Sequence, residues 1–387
     1  MRFTARLTAA SLLAAVATAA VGAPAHADRY RDDQWYLPFL KIAEAHAISQ
    51  GEGVTVAVID TGVEGKHPDL NGNVLRGFDT VIGGNGDGWG DHDGHGTGMA
   101  GLVAAHGHGT GARDGVLGIA PKAKVLPIRT VSPKGDGGGD AIAIAIDEAV
   151  KRNVKIISVS QSAHSADSAT EIQAVARAHA AGVLVFAAAG NQPNDRYVAP
   201  PGRYPGAVAV GAVDKQGNIA AVSTRGPEVQ LVAPGVDITS TSRINKDKGT
   251  QYRRGTGTSP ATAITAGVAA LVWSKYPQLT ADEVLERLTR TAVDKGTPGR
   301  DEDYGFGLID PVAALTAPAA QPSPSAAAGT PEPGDSPARK SDRDANAGSF
   351  SLLLLVIGGV VLALVVLAVV IGLRVARRRG GGEPPAR

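Results

Sequence analysis

The chain contains no cysteine. That excludes a thiol nucleophile and a cysteine-based zinc site. It does not fix the compartment, because oxidising surroundings permit disulfides without requiring them. Aromatic residues make up only 4% of the chain, so a core has to be built mainly from Ala, Val, Ile and Leu. An excess of one charge is missing as well. Lys and Arg number 38 against 37 Asp and Glu, which argues against the clustered basic face of a nucleic-acid binder. No internal repeat is visible. Glycine, by contrast, is abundant at 50 residues, and this points to many tight turns and close backbone approaches.

The two ends differ from the middle. Arg2 and Arg6 precede a mostly small, apolar stretch, Leu7–Val21, and Ala25-His26-Ala27 forms an A-x-A cleavage signature. Residues 1–27 are therefore expected to be a secretory signal, the apolar run being short for a membrane span. Near the other end, Phe350–Leu373 carries no charge and is long enough to cross a hydrocarbon core of ~30 Å. A buried core helix is the alternative, but the run has no polar face to turn toward water. Arg374, Arg377, Arg378 and Arg379 follow at once, and positive charge beside a span tends to stay cytoplasmic. The expected topology is single-pass type I in the cell membrane: a transmembrane helix over 350–373, a cytoplasmic tail over 374–387, and everything from 28 to 349 outside. Residues 317–349 are rich in Pro, Ala and Ser and poor in large apolar side chains, the composition of an extended, flexible tether.

Between signal and tether, apolar runs alternate with helical stretches. Val54–Ile59, Lys124–Ile128, Lys155–Val159, Gly182–Ala187 and Ala207–Val210 are expected to be buried strands. Gly98–Ala105, Gly139–Arg152, Ala169–Ala181, Ser259–Lys275 and Thr280–Thr291 are expected to be helices. Apolar strands alternating with helices predict an α/β fold, a parallel sheet with helices on both faces. A site in such a sheet lies beyond the carboxyl ends of its strands.

Three glycine-rich segments supply an Asp, a His and a Ser in that order: Val56–Gly62, Gly94–Gly98 and Gly255–Ala263. A serine hydroxyl needs an imidazole to remove its proton and a carboxylate to orient that imidazole. Asp60, His95 and Ser259 are the candidates, in the chain order used by subtilisin. Asn191, after the apolar run ending at Gly190, could donate to an oxyanion together with the Ser259 backbone N–H.

Each segment alone has a plainer reading. Asp60 could cap a turn, Gly190-Asn191 could be an ordinary turn, and Ser259 could be a helix N-cap. An aspartic-peptidase reading of Asp60-Thr61-Gly62 fails for want of a second such carboxylate motif. Asp91, His92, Asp93 and His95 could be metal ligands, although their spacing does not match a helical His pair. His106 and His108, in a glycine-rich loop, are expected to be solvated. There is no G-x-S-x-G elbow, which argues against an α/β-hydrolase.

At these residues the chain resembles the subtilase family of serine peptidases. His67-Pro68-Asp69-Leu70, Ala233-Pro234-Gly235 and Tyr304-Gly305-Phe306-Gly307 extend the resemblance over roughly Gly51–Pro311. The layout of signal, short N-terminal segment, catalytic domain over 51–316, Pro-rich linker, single span and Arg-rich tail looks like a mycosin, the membrane-anchored subtilases associated with type VII secretion. The resemblance implies a serine endopeptidase acting outside the membrane on protein or peptide substrates, with a secretion membrane complex as partner and without a cofactor or metal. Residues 28–50 are expected to pack on the catalytic domain rather than act as a removable propeptide. Departures from the family pattern are Gly98 where many subtilases carry a second His, Ser259-Pro260-Ala261-Thr262-Ala263 in place of Ser-Met-Ala, and Ser158–Ala163 without a Ser-Leu-Gly. The alternative reading is a structural subunit that stabilises the secretion complex, with proteolysis secondary.

Overall fold

A computed structural model describes residues 29–81, 86–131, 140–161, 167–245 and 250–319. The expected signal, span, tail and nearly all of the linker lie outside these residues. Among the described residues no helix is long and apolar enough to cross a membrane.

The strands are β1 (Thr55–Asp60), β2 (Phe78–Asp79), β3 (His106–His108), β4 (Asp114–Leu117), β5 (Lys124–Arg129) and β6 (Ile156–Val159), then β7 (Leu184–Ala188), β8 (Ala207–Val213), β9 (Val229–Pro234), β10 (Ile238–Asn245) and β11 (Thr250–Gly255). The helices are α1 (Arg29–Asp32), α2 (Tyr36–Phe39), α3 (Ile42–His46), α4 (His95–Ala104), α5 (Ala141–Lys151), α6 (Ala169–Ala180), α7 (Thr258–Lys275), α8 (Ala281–Arg290) and α9 (Pro311–Thr316). One sheet runs β2-β5-β1-β6-β7-β8-β9, with every pair parallel. Two antiparallel ribbons, β3–β4 and β10–β11, stand outside it.

Alternation along the strands sends side chains to two cores. Val56 and Val58 of β1 join a cluster with α4 and α7, whereas Ala57 and Ile59 face α5 and α6. Helix α7 is buried on nearly every side from Thr258 to Trp273, which is why its sequence is apolar all round. Helix α6 shows the opposite pattern, with Ala174, Val175 and Ala178 buried between exposed polar positions.

The expected strands and helices are present, with shifted ends. Helix α4 starts at His95 rather than Gly98, because its first-turn N–H groups find acceptors upstream. His95 N donates to Asp93 Oδ1, Gly96 N to Thr61 Oγ1 and Thr97 N to Asp91 Oδ2, which satisfies donors that would otherwise be orphaned. His106 and His108, expected to be solvated in a loop, are half-exposed but held by partners. Both lie in β3, where His108 Nδ1 sits 2.5 Å from Oδ1 of the buried Asp69 and His106 Nε2 lies 2.9 Å from the Asn71 carbonyl.

Residues 29–50 lie along the domain surface. Gln34 donates to the Leu117 carbonyl and accepts from the Leu117 N–H, at 2.8 and 2.7 Å. Trp35 Nε1 reaches the Val236 carbonyl, and Ser49 Oγ the Leu271 carbonyl. The fully buried Tyr36 donates to the Thr239 carbonyl at 3.0 Å. Burial pushes its phenol pKa up, so it stays neutral.

Candidate active site

The carboxyl ends of β1 and β7 and the starts of α4 and α7 bring the four candidate residues to one end of the sheet. Asp60 is the last residue of β1 and is fully buried. Its Oδ1 accepts the Thr61 N–H at 2.8 Å, a local turn contact. The carboxylate also faces His95: Nδ1 is 2.8 Å from Oδ1 and 3.0 Å from Oδ2. Because carboxylate oxygens only accept, Nδ1 carries the proton and Nε2 is left as the basic nitrogen.

Close approach makes this contact possible. A Cβ on Gly96 would collide with the Gly62 carbonyl and press on Asp60, so only glycine lets α4 sit directly on the loop after β1. Burial is the largest single influence on His95 and pulls its pKa down. The charge of Asp60 and the hydrogen bond to it together outweigh burial, and the pKa ends above the ordinary value. Arg253 opposes this rise and Asp93 adds to it.

Ser259 is the second residue of α7, followed by Pro260 at a position where a missing donor costs nothing. Its backbone N–H is among the first-turn donors without an intrahelical acceptor. The Ser259 hydroxyl does not bond His95 among the described residues. Oγ donates instead to the Ser160 carbonyl at 2.8 Å, and Ser160 Oγ donates back to the Ser259 carbonyl at 3.2 Å.

Asn191 follows β7. Its main chain is pinned by Asp195, whose Oδ2 accepts the Asn191 N–H at 2.8 Å while the Asp195 N–H reaches the Asn191 carbonyl at 3.0 Å. Its side-chain Oδ1 accepts the Thr258 N–H at 2.9 Å. A backbone donor can only meet the oxygen, so this bond fixes the amide's orientation and leaves Nδ2 as a donor beside Thr258-Ser259. Together the four residues supply an oriented imidazole, a hydroxyl at a helix N-terminus and a fixed amide donor, a set suited to nucleophilic attack on a carbonyl.

The chain as a whole is similar to known proteins. Residues 51–307 match the model of the subtilase family. A thermostable alkaline protease of Halalkalibacterium halodurans is 39% identical over 276 residues, covering 71% of each chain. Subtilisin DY of Bacillus licheniformis is 38% identical over 284 residues, covering 72% of this chain and 97% of that one. The chain belongs to the subtilase family. It is a subtilisin-like serine endopeptidase. A crystal structure of MycP1 with its N-terminal propeptide removed superposes with a TM-score of 0.63 at 32% identity, over 73% of this chain and 97% of that one, which makes this chain mycosin-type.

Some residues of this subtilase's site have roles that the sequence does not mark. Thr258 and Ser160 fall inside segments that stand out for other reasons, Gly255–Ala263 and Ser158–Ala163, and Asp195 has no motif of its own. Asp91 and His92 stand out in the sequence only as possible metal ligands. The Asp91 oxygens accept N–H and O–H donors from four residues. The signal that could have revealed this is a side-chain acceptor just upstream of a helix whose own N-cap, Gly94, has no side chain.

Proposed function

We propose that this endopeptidase hydrolyses peptide bonds through Asp60, His95 and Ser259, with Asn191 holding the oxyanion. Asp60 orients His95 and stabilises its charged form. His95 takes the Ser259 proton and then gives it to the leaving amine. Ser259 Oγ attacks the scissile carbonyl, and water releases the acyl group by the same steps in reverse. Asn191 Nδ2 and the Ser259 N–H stabilise the developing negative charge, which the N-terminus of α7 also favours. The observation that carries the reading is the bond from His95 Nδ1 to the fully buried Asp60 carboxylate, which leaves Nε2 free to act as base.

We further propose that the enzyme works outside the cell membrane, anchored by residues 350–373 on the tether 317–349, and serves a type VII secretion complex. The uncharged run and the arginines after it support the anchor, and the mycosin-like layout of catalytic domain, tether, span and Arg-rich tail in the sequence supports the secretion link. The test is hydrolysis of casein or a chromogenic peptide by the wild type and by Ser259→Ala, with fractionation of cells expressing the chain with and without residues 350–373. Equal activity of the two proteins would overturn the catalytic assignment. Loss of the truncated chain from the membrane fraction is the expected result for the anchor.

A further inference from the structure

We infer that Asp91 is the positioning residue that locks His95 onto Asp60, by tying the loop after β1 to the first turn of α4. The inference rests on the triad reading above and deepens it. Asp91 is buried, at 6% exposure, and both of its oxygens are fully engaged. Oδ1 accepts from Thr61 Oγ1 at 2.8 Å, Asp93 N at 3.0 Å and Gly94 N at 2.8 Å. Oδ2 accepts from Thr97 N at 2.9 Å and Thr97 Oγ1 at 2.7 Å. The donors therefore come from both sides of the contact between Asp60 and His95.

Thr61 and Thr97 carry the tie further. Thr61 follows Asp60 directly, and its Oγ1 also accepts the Gly96 N–H at 2.9 Å. Thr97 Oγ1 accepts the Glu64 N–H at 2.9 Å, and the Thr97 carbonyl accepts Thr241 Oγ1 from β10 at 2.6 Å. Asp60 and His95 are thus each one or two residues from a group held by Asp91. A carboxylate that accepts this many donors is held in one orientation, and it lies at the positive end of α4. Neither oxygen of Asp91 touches His95 or Asp60, so its role is to place them and not to react.

Asparagine has nearly the shape of aspartate, but its Nδ2 cannot accept the two donors of Thr97. The test uses the full-length chain in detergent, with Asp91→Asn, Thr61→Val and Thr61→Ser beside the wild type. Circular dichroism establishes folding. The rate of fluorophosphonate labelling, the kcat and KM of peptide hydrolysis, and the His95 titration midpoint by nuclear magnetic resonance are then compared.

Folded Asp91→Asn and Thr61→Val are expected to label and turn over about 10²-fold more slowly, the cost of misplacing a reacting group by about an ångström, with KM little changed. Their His95 midpoint is expected to fall below the wild type's, because burial then acts against a looser partner. Thr61→Ser, which keeps the hydroxyl, restores all three readouts. Wild-type rates and an unmoved His95 midpoint in a folded variant overturn the inference. If Asp91→Asn does not fold, the Thr61→Val and Thr61→Ser pair decides on the same readouts. A folded wild type that neither labels nor hydrolyses, while the His95 midpoint still falls in the variants, would uphold the positioning and sink the catalytic reading.

Discussion

Ser259 and Ser160 hold each other: the hydroxyl of each donates to the main-chain carbonyl of the other, at 2.8 and 3.2 Å. Ser160 follows β6 and Ser259 opens α7, so the pair stitches the end of the sheet to the helix that carries the proposed nucleophile. In the proposed mechanism the Ser259 O–H turns from the Ser160 carbonyl to His95 Nε2 before the proton is transferred. Ser160→Ala removes only the weaker bond and keeps the carbonyl. It is expected to cost about 1 kcal/mol of stability, the net worth of an ordinary hydrogen bond, read by urea unfolding. Its turnover should fall far less than that of Ser259→Ala.

The pH profile follows from the Asp60–His95 contact. Since His95 must be neutral to act as base, activity is expected to rise through a midpoint above ~6.5, the ordinary histidine value. The stability from this contact behaves in the opposite way. A raised folded pKa gives stabilisation that is complete below ~6.5 and is lost as pH rises through the folded midpoint. Asp60→Asn removes the charge that raises the pKa and lets burial pull the midpoint down. Turnover should drop by about 10⁴, as when a triad carboxylate is replaced by an amide. Initial rates and His95 titration measured across pH check both statements, and an unshifted midpoint in Asp60→Asn contradicts them.

Asn191→Ala is expected to lower kcat by about 10²–10³ with little change in KM. That magnitude is the one measured for an oxyanion donor in subtilisin, a member of the same family, and is carried over from it. The prediction specific to this chain concerns Asn191→Asp. It keeps Oδ1 for the Thr258 N–H but replaces the Nδ2 donor with a negative oxygen, so it should be at least as damaging as alanine in steady-state kinetics.

Residues 29–50 are expected to remain attached in the mature enzyme. Tyr36 is fully buried and its hydroxyl bonds the Thr239 carbonyl. Tyr36→Ala should cost about 3–5 kcal/mol, the range for deleting a buried aromatic, whereas Tyr36→Phe should cost about 1 kcal/mol. Thermal unfolding measures both. Intact-mass measurement of protein purified from its own membrane should place the N-terminus near Asp28, and a mature form beginning near Gly51 would contradict this.

Much of the fold is legible because parallel strands buried on both faces read as continuous apolar runs. Thr55–Asp60 and Leu184–Ala188 are such runs. Strand β9 is not legible, since Gln230 interrupts it and Pro234 ends it. Strands β3, β4, β10 and β11 are not legible either: they are short or polar, and even the buried half of β10, Ile238–Thr241, is mostly Ser and Thr. At the site, Asp60, His95, Asn191 and Ser259 stand out through their glycine-rich settings. The groups that hold them do not. Asp91 and Thr61 lie 30 positions apart, Ser160 and Ser259 lie 99 apart, and only folding brings such partners together.

Central to the catalytic expectations is Ser259 as a nucleophile activated by His95. Fluorophosphonate labelling of the purified wild-type chain, beside Ser259→Ala and His95→Ala, tests this most directly. The wild type is predicted to label, and both variants are predicted to lose the label. A well-folded wild type that does not label, or labelling that persists in Ser259→Ala, would contradict it.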